Sequence, residues 1–194
     1  MKTIVITSPD HWPGEETVIP WLLEAGVDFV HLRKPAWSEA DCARLLSLVP
    51  AWCHGRIVVH DHFALCRRFA LRGIHLNGRC PEIPVGFEGA VSRSCHSLCE
   101  VEEGKPLSSY VFLSPVFDSI SKPGYRAAFT LAELQSAARR GIIDRRVVAL
   151  GGVSVDNVAL LRTCGFGGVA LLGEVWRQAA GAHFDDYLRR LAAL

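Results

Sequence analysis

The sequence has almost no net charge: 21 Lys and Arg stand against 20 Asp and Glu. No basic field is available to hold a nucleic-acid backbone or an anionic membrane surface. Long apolar runs are absent too, because Arg, Asp, Glu or His interrupts every apolar segment well short of the roughly 18 residues a membrane span needs. The opening stretch from Met1 to Trp12 has one Lys and a short Ile-Val-Ile run, less than a secretion-signal core requires. None of the seven cysteines belongs to a CxxC pair, and their odd number and scatter argue against a disulfide framework or a ribbon-type zinc site. No GxGxxG follows the first apolar run, where Ser8-Pro-Asp-His-Trp-Pro13 is unsuited to a dinucleotide pyrophosphate. These absences predict a soluble cytoplasmic protein with neither a nucleic-acid nor a membrane partner.

What is present is a globular composition, 49% apolar and 21% charged over 194 residues, enough for one domain with a real core. Eight Val- and Ile-rich runs read as strands: Thr3 to Thr7, Val27 to Leu32, Ile57 to His60, Gly73 to Leu76, Ala90 to Ser94, Tyr110 to Leu113, Val147 to Leu150 and Gly168 to Leu172. Between them lie segments with helical spacing, such as Leu131, Leu134 and Ala138, or Val155, Val158 and Leu161. Strands that are apolar throughout, rather than alternating, indicate burial on both faces, the pattern of a parallel sheet. Three segments repeat weakly (Glu24 to Leu32, Ala70 to Leu76, Thr163 to Leu171), each with Gly between a helix end and a strand, a position suited to the left-handed helix terminus. The predicted fold is α/β, a compact single-domain (β/α)8 TIM barrel over residues 1–194. Pro20 should kink or shorten the first helix, and Asn77 to Gly89, with Pro81 and Pro84, should be loop rather than helix.

In such a barrel the active site lies at the carboxyl ends of the strands, and those positions are polar here: His31-Leu-Arg-Lys34, His60-Asp-His62, His75-Leu-Asn77, Ser92 to His96, and Ser114 to Lys122. Gly151-Gly152 after the seventh strand either clamp a phosphate with backbone amides or serve a tight turn. Arg33 can grip a phosphate with two parallel N–H bonds, or form a rim salt bridge, while Lys122 offers a compact charge. Asp61 can hold Mg2+ or cap the following helix. His60-Asp61-His62 lacks the spaced further ligands of a zinc or iron site, the Cys95-His-x-x-Cys99 cysteines read as small buried hydrophobes, and His75 reads as a hydrogen-bonded structural histidine. A Schiff-base lysine at Lys122 would need burial that its Ser-Pro-Gly surroundings do not promise.

Taken together, Phe29-Val-His-Leu-Arg33, Ile57-Val-Val-His-Asp61, Gly73-Ile-His-Leu76, Ser92-Arg-Ser-Cys-His-Ser97, Tyr110 to Phe117, Ser119-Ile-Ser-Lys122 and Ala149-Leu-Gly-Gly-Val153 resemble the thiamine phosphate synthase / TenI superfamily over nearly the whole chain. The resemblance implies a cytoplasmic homo-oligomer acting on small phosphorylated heterocycles. Its synthase branch joins hydroxymethylpyrimidine diphosphate to thiazole phosphate with Mg2+ and releases pyrophosphate; a TenI branch aromatises a thiazole phosphate tautomer. By the same resemblance, Arg33 and Lys122 act on the diphosphate substrate and Asp61 on Mg2+. Ser94 contacts the pyrimidine, Ser119 and Ser121 hold thiazole phosphate, and Gly151 or Gly152 gives it amide contacts.

The departures from the family pattern are specific. His31 replaces the Gln of the diphosphate motif, and Pro35 replaces its Lys, for which the adjacent Lys34 would substitute. His60 replaces the Asn before the Mg2+ aspartate, Gly173 replaces the last-strand Ser, and Cys80 falls where the second Mg2+ aspartate is expected. A thiolate prefers softer metals, so slow catalysis is expected. Pro115 stands where the tautomerase branch has its catalytic histidine. The expectation is a synthase; the alternatives are a tautomerase with His31, His60 or His96 as base, or a non-catalytic regulatory barrel that binds a phosphorylated ligand.

Overall fold

The structure is a computed structural model that describes residues 1–118 and 126–194. Eight parallel strands close into a barrel, each hydrogen-bonded to its sequence neighbours, with the last closing on the first. They are β1 (Lys2–Ile6), β2 (Phe29–Leu32), β3 (Ile57–Val59), β4 (Gly73–Leu76), β5 (Ala90–Cys95), β6 (Tyr110–Leu113), β7 (Val147–Ala149) and β8 (Gly168–Leu171). Every predicted strand is present, with its ends displaced by two residues at most. Around them run α1 (Glu15–Glu24), α2 (Glu39–Leu48), α3 (Ala51–His54), α4 (Ala64–Arg68), α5 (Leu98–Gly104), α6 (Leu131–Arg139), α7 (Val158–Thr163), α8 (Gly173–Ala179) and α9 (Phe184–Ala192). None of the described helices is long and apolar enough to cross a membrane.

Helix starts follow local chemistry. Ser38 and Thr130 each accept an N–H from the residue three positions on, while Asp41 and Glu133 reach back to the cap, which satisfies otherwise orphaned donors. As Pro81 and Pro84 predict, the stretch from Asn77 to Gly89 contains no helix. The expectation for Pro20 is corrected: α1 runs through it to Glu24. The proline removes one backbone bond at a cost of about 3 kcal/mol. Val18, Ile19, Leu22 and Leu23 are buried on that helix at roughly 1.5–3 kcal/mol each, which outweighs it. The glycine repeat also needs correction in its middle copy. Ala70, not Gly73, takes the left-handed backbone there (φ 51), and Gly73 is instead a contact glycine whose Cβ would lie 1.9 Å from the Ala90 carbonyl oxygen.

Alternation along each strand separates two layers. Val5, Val30, Leu32, Ile57, Val59 and Ile74 face outward into the core shared with the helices. Ile4, Ile6, Phe29, Tyr110, Phe112, Val148 and Ala170 fill the barrel interior. On the β2 to β5 side that interior is polar: His31, His60, His75 and Ser92 are all buried.

Candidate active site

The carboxyl ends of the strands open into a cavity of about 530 Å3, within the size range of small-molecule sites. Its floor is apolar, made by Ile6, Phe112, Ala170 and Leu172; Arg33, Arg79, Ser94 and His96 line one side and Gly151, Gly152 and Gly173 the other. A polar rim over an apolar floor suits a flat heterocycle carrying an anionic group.

Arg33 leaves β2 at this mouth. Its backbone N–H donates to Thr7 Oγ1 at 2.8 Å, which locks the strand exit, and its side chain is half-buried. Among the described residues no carboxylate forms an ion pair with it. Burial first, then the positive charge of Arg79, lowers its pKa, with Asp61 acting the other way. A guanidinium so placed is a ready anion site.

Asp61 sits at the rim but is already engaged. Arg79 Nε donates to one carboxylate oxygen and Nη2 to the other, both at 3.0 Å, and Cys80 Sγ lies 3.9 Å from Oδ1. Asp61 does not cap α4, whose cap position is Phe63, with no side-chain cap bond. The donor set therefore does not fit Mg2+. A hard cation needs several oxygen ligands, and here both oxygens of the carboxylate are occupied by a cation while the neighbouring position offers sulfur.

Lys34, expected as a substitute diphosphate ligand, turns away from the mouth. It is 1% exposed, meets Glu15 at 2.5 Å, donates to the Asp10 carbonyl at 2.9 Å and lies 4.5 Å above the Trp37 ring. A buried ammonium is tolerated only where such partners surround it. Burial pushes the Glu15 carboxyl up to about 7 even though Lys34 stabilises its charged form.

The histidines of the strand ends converge instead of spreading. His31 Nδ1 is 2.9 Å from His60 Nε2, and His31 Nε2 is 2.7 Å from the Tyr110 hydroxyl. His75 bonds Ser92 and Ser94 through its two ring nitrogens, at 2.8 and 2.9 Å, in line with its structural reading. The three rings bring ligand atoms within 4.8 Å of one another. Yet both nitrogens of His31 and both of His75 are already hydrogen-bonded, so a metal would have to break the network that orders them. Burial, with mutual repulsion among the rings, holds His31 and His60 well below the ordinary imidazole value. Burial, reinforced by Arg33, lowers His75 to about 3. His62 diverges, donating Nε2–H to the Trp37 carbonyl, so His60, Asp61 and His62 form no cluster. Cys95 is buried and Cys99 exposed, and they reach different partners.

Gly151 and Gly152 serve the turn. Both have left-handed backbone, φ 93 and 64, and a Cβ on Gly152 would sit 2.3 Å from the Asp118 carbonyl oxygen. Among the described residues neither amide donates to a backbone acceptor, and both glycines line the cavity. Gly152→Ala is expected to lose about 2–3 kcal/mol of stability, a fall in Tm of roughly 5–10 °C. A melting curve that matched the parent would show that the loop opens freely. Ser119, Ser121 and Lys122 lie outside the described residues.

Sequence reasoning missed Arg79 and Glu15. The signal for Arg79 is the Asn77-Gly78 turn directly after β4: the Asn77 side chain donates to the carbonyls of His60 and His75 and accepts from the Arg79 N–H, so the residues that follow must stand on the rim.

The closed parallel barrel with a cavity at the carboxyl ends of its strands defines a protein of the (β/α)8 class. A family described as thiamine monophosphate synthase (TMP-TENI) matches residues 4–175, and the chain belongs to that family. It is 28% identical to a thiamine-phosphate synthase of Erythrobacter litoralis over 184 residues, 88% of this chain and 86% of that one. A thiamine-phosphate synthase of Listeria innocua is 29% identical over 127 residues, a match that spans 62% of this chain and 59% of the relative's length. Among solved structures, a thiamine phosphate pyrophosphorylase from Bacteroides thetaiotaomicron superposes with a TM-score of 0.87 at 39% identity, over 99% of this chain and 94% of that one.

Proposed function

We propose that this protein is a thiamine phosphate synthase, joining hydroxymethylpyrimidine diphosphate to thiazole phosphate. The observation that carries the reading is the half-buried Arg33 guanidinium without a carboxylate partner among the described residues, facing Gly151 and Gly152 across one cavity. Two groups able to bind anions, one on each side of an apolar floor, match a reaction between two phosphorylated heterocycles.

In that reaction the bond between the pyrimidine methylene and the diphosphate oxygen breaks, and the oxygen keeps the electron pair. The thiazole nitrogen lone pair then forms the new carbon–nitrogen bond. The attacking nitrogen carries no proton, so no general base is required, and histidines held neutral by burial suit a site that must not attract a proton. Arg33 stabilises charge that grows on the departing diphosphate; Ile6, Phe112, Ala170 and Leu172 keep water from the pyrimidine cation; Ser94 stands beside the ring. Lys122 on the diphosphate and Ser119 and Ser121 on the thiazole phosphate belong to the same reading. So does a cytoplasmic homo-oligomer, for which the exposed Trp21, Leu48 and Trp52 on α1, α2 and α3 offer an apolar face.

The test is to incubate the pure protein with both substrates and measure thiamine phosphate. Arg33→Ala is expected to lower kcat/KM by about a hundredfold, because a charge-assisted bidentate contact to the leaving group is lost. No product above background from the parent protein would defeat the proposal. A second reading, thiazole tautomerase, is favoured by His96, whose Nδ1 lies 3.1 Å from the Ser114 carbonyl. That carbonyl can only accept, so Nε2 is left as a base; conversion of the tautomer that His96→Gln abolished would support this reading over the first.

A further inference from the structure

We propose that Arg79 takes the place of the divalent cation at this mouth, so that Arg33 and Arg79 together bind the leaving diphosphate without metal. The inference rests on the diphosphate reading above and specifies how this chain meets it. Three observations carry it. The Arg79 fork covers both oxygens of Asp61, the atoms a cation would need. The position expected to supply the second carboxylate is Cys80, whose thiol turns toward the same Asp61 oxygen. Arg33 and Arg79 line one cavity, close enough that the charge of Arg79 acts on Arg33.

The charges balance. Replacing one aspartate and a doubly charged cation by a neutral cysteine and an arginine leaves the formal charge of the mouth unchanged. A guanidinium has five N–H donors; Asp61 takes two, and three remain for the ligand. Asp61 thus changes from a metal ligand into a support that orients Arg79. The Asn77 turn fixes the base of that arm, with the Asn77 N–H donating to the Cys80 carbonyl and the Cys80 N–H returning to Asn77. The Arg79 side chain remains 43% exposed and lines the cavity, so it is open to a ligand.

Calorimetry of inorganic pyrophosphate with the full-length protein tests this, in EDTA and again with millimolar Mg2+. Pyrophosphate is expected to bind in EDTA, and Mg2+ is expected to leave the affinity unchanged or weaken it by sequestering the ligand in solution. Arg79→Gln should weaken binding at least tenfold, and Arg79→Lys should restore it only in part because the fork is lost. Asp61→Asn should still bind in EDTA. Circular dichroism on each variant separates a fold defect from a lost contact. Binding that appears only with Mg2+ and vanishes in Asp61→Asn would overturn the inference while leaving the diphosphate reading intact. Silence of the parent protein under both conditions would defeat the diphosphate reading itself.

Discussion

Acidification from pH 7 to pH 5 is expected to lower the stability of the folded protein by about 2–4 kcal/mol. His31, His60 and His75 are buried and hydrogen-bonded, and all three have folded-state pKa values well below the ordinary 6.5, His75 near 3. In the unfolded chain they titrate normally. Below pH 6.5 the unfolded state therefore binds protons that the folded state refuses, and each histidine removes about 1.4 kcal/mol of stability per pH unit until its own folded pKa is reached. Two carboxyls work in the opposite direction. Burial raises Glu15 to about 7 and also raises Glu174, so the folded state holds their protons more tightly as pH falls toward 4.5. The net slope is one to two protons, about 1.4–2.8 kcal/mol per pH unit, against a total stability on the order of 5–15 kcal/mol. Urea midpoints at pH 8, 7, 6 and 5.5 read this directly. They should be nearly flat at the alkaline end and fall below 6.5, and His75→Gln should reduce the slope by one proton. A midpoint indifferent to pH between 7 and 5.5 would mean that the histidine cluster is already charged or open to water.

Removing the Lys34 ammonium is the most damaging single change expected away from the cavity floor. Lys34→Met leaves Glu15 in a site where it is 2% exposed, and breaking a buried ion pair from one side typically costs 3–5 kcal/mol. The pH sets how much of that cost appears. The folded pKa of Glu15 already lies above its unfolded value; without Lys34 it rises further, so the variant can neutralise itself by holding a proton at acid pH but not at pH 8. Its stability should therefore fall as pH rises from 6 to 8, opposite in sign to the effect of the histidines. Denaturant unfolding at the two pH values checks this. A paired Lys34→Met, Glu15→Leu protein should recover most of the loss, since apolar residues replace buried pairs at little cost. If Lys34→Met instead left stability intact and abolished activity, Lys34 would belong to the substrate site after all.

These predictions differ in how far they could be read before the fold was known. The strand order needed no tertiary information: eight Val- and Ile-rich runs separated by helical spacing already imply a parallel sheet, and the lack of a GxGxxG after the first run favours a barrel over an open doubly wound sheet. The same rule placed Arg33, Asp61, Ser94 and the Gly151-Gly152 turn at the mouth, because a residue just past a strand end has few other places to go. The direction of each side chain was not legible. Lys34 and Arg33 are neighbours in the chain, yet one is sealed against Glu15 and the other opens to the cavity. Asp61 reads equally as a metal ligand, a helix cap or an ion-pair partner until Arg79 is found across from it.

The sequence by itself determined the barrel, its strand order and the end at which chemistry occurs, since hydrophobic periodicity and turn residues act over a few positions. Only the tertiary structure decided which polar groups meet: Lys34 with Glu15, Arg79 with Asp61, and His31 with both His60 and Tyr110. Each partner lies 18 to 79 residues away along the chain, and a buried or half-buried charge settles its orientation by whichever opposite charge or hydrogen-bond partner the closed barrel brings within reach.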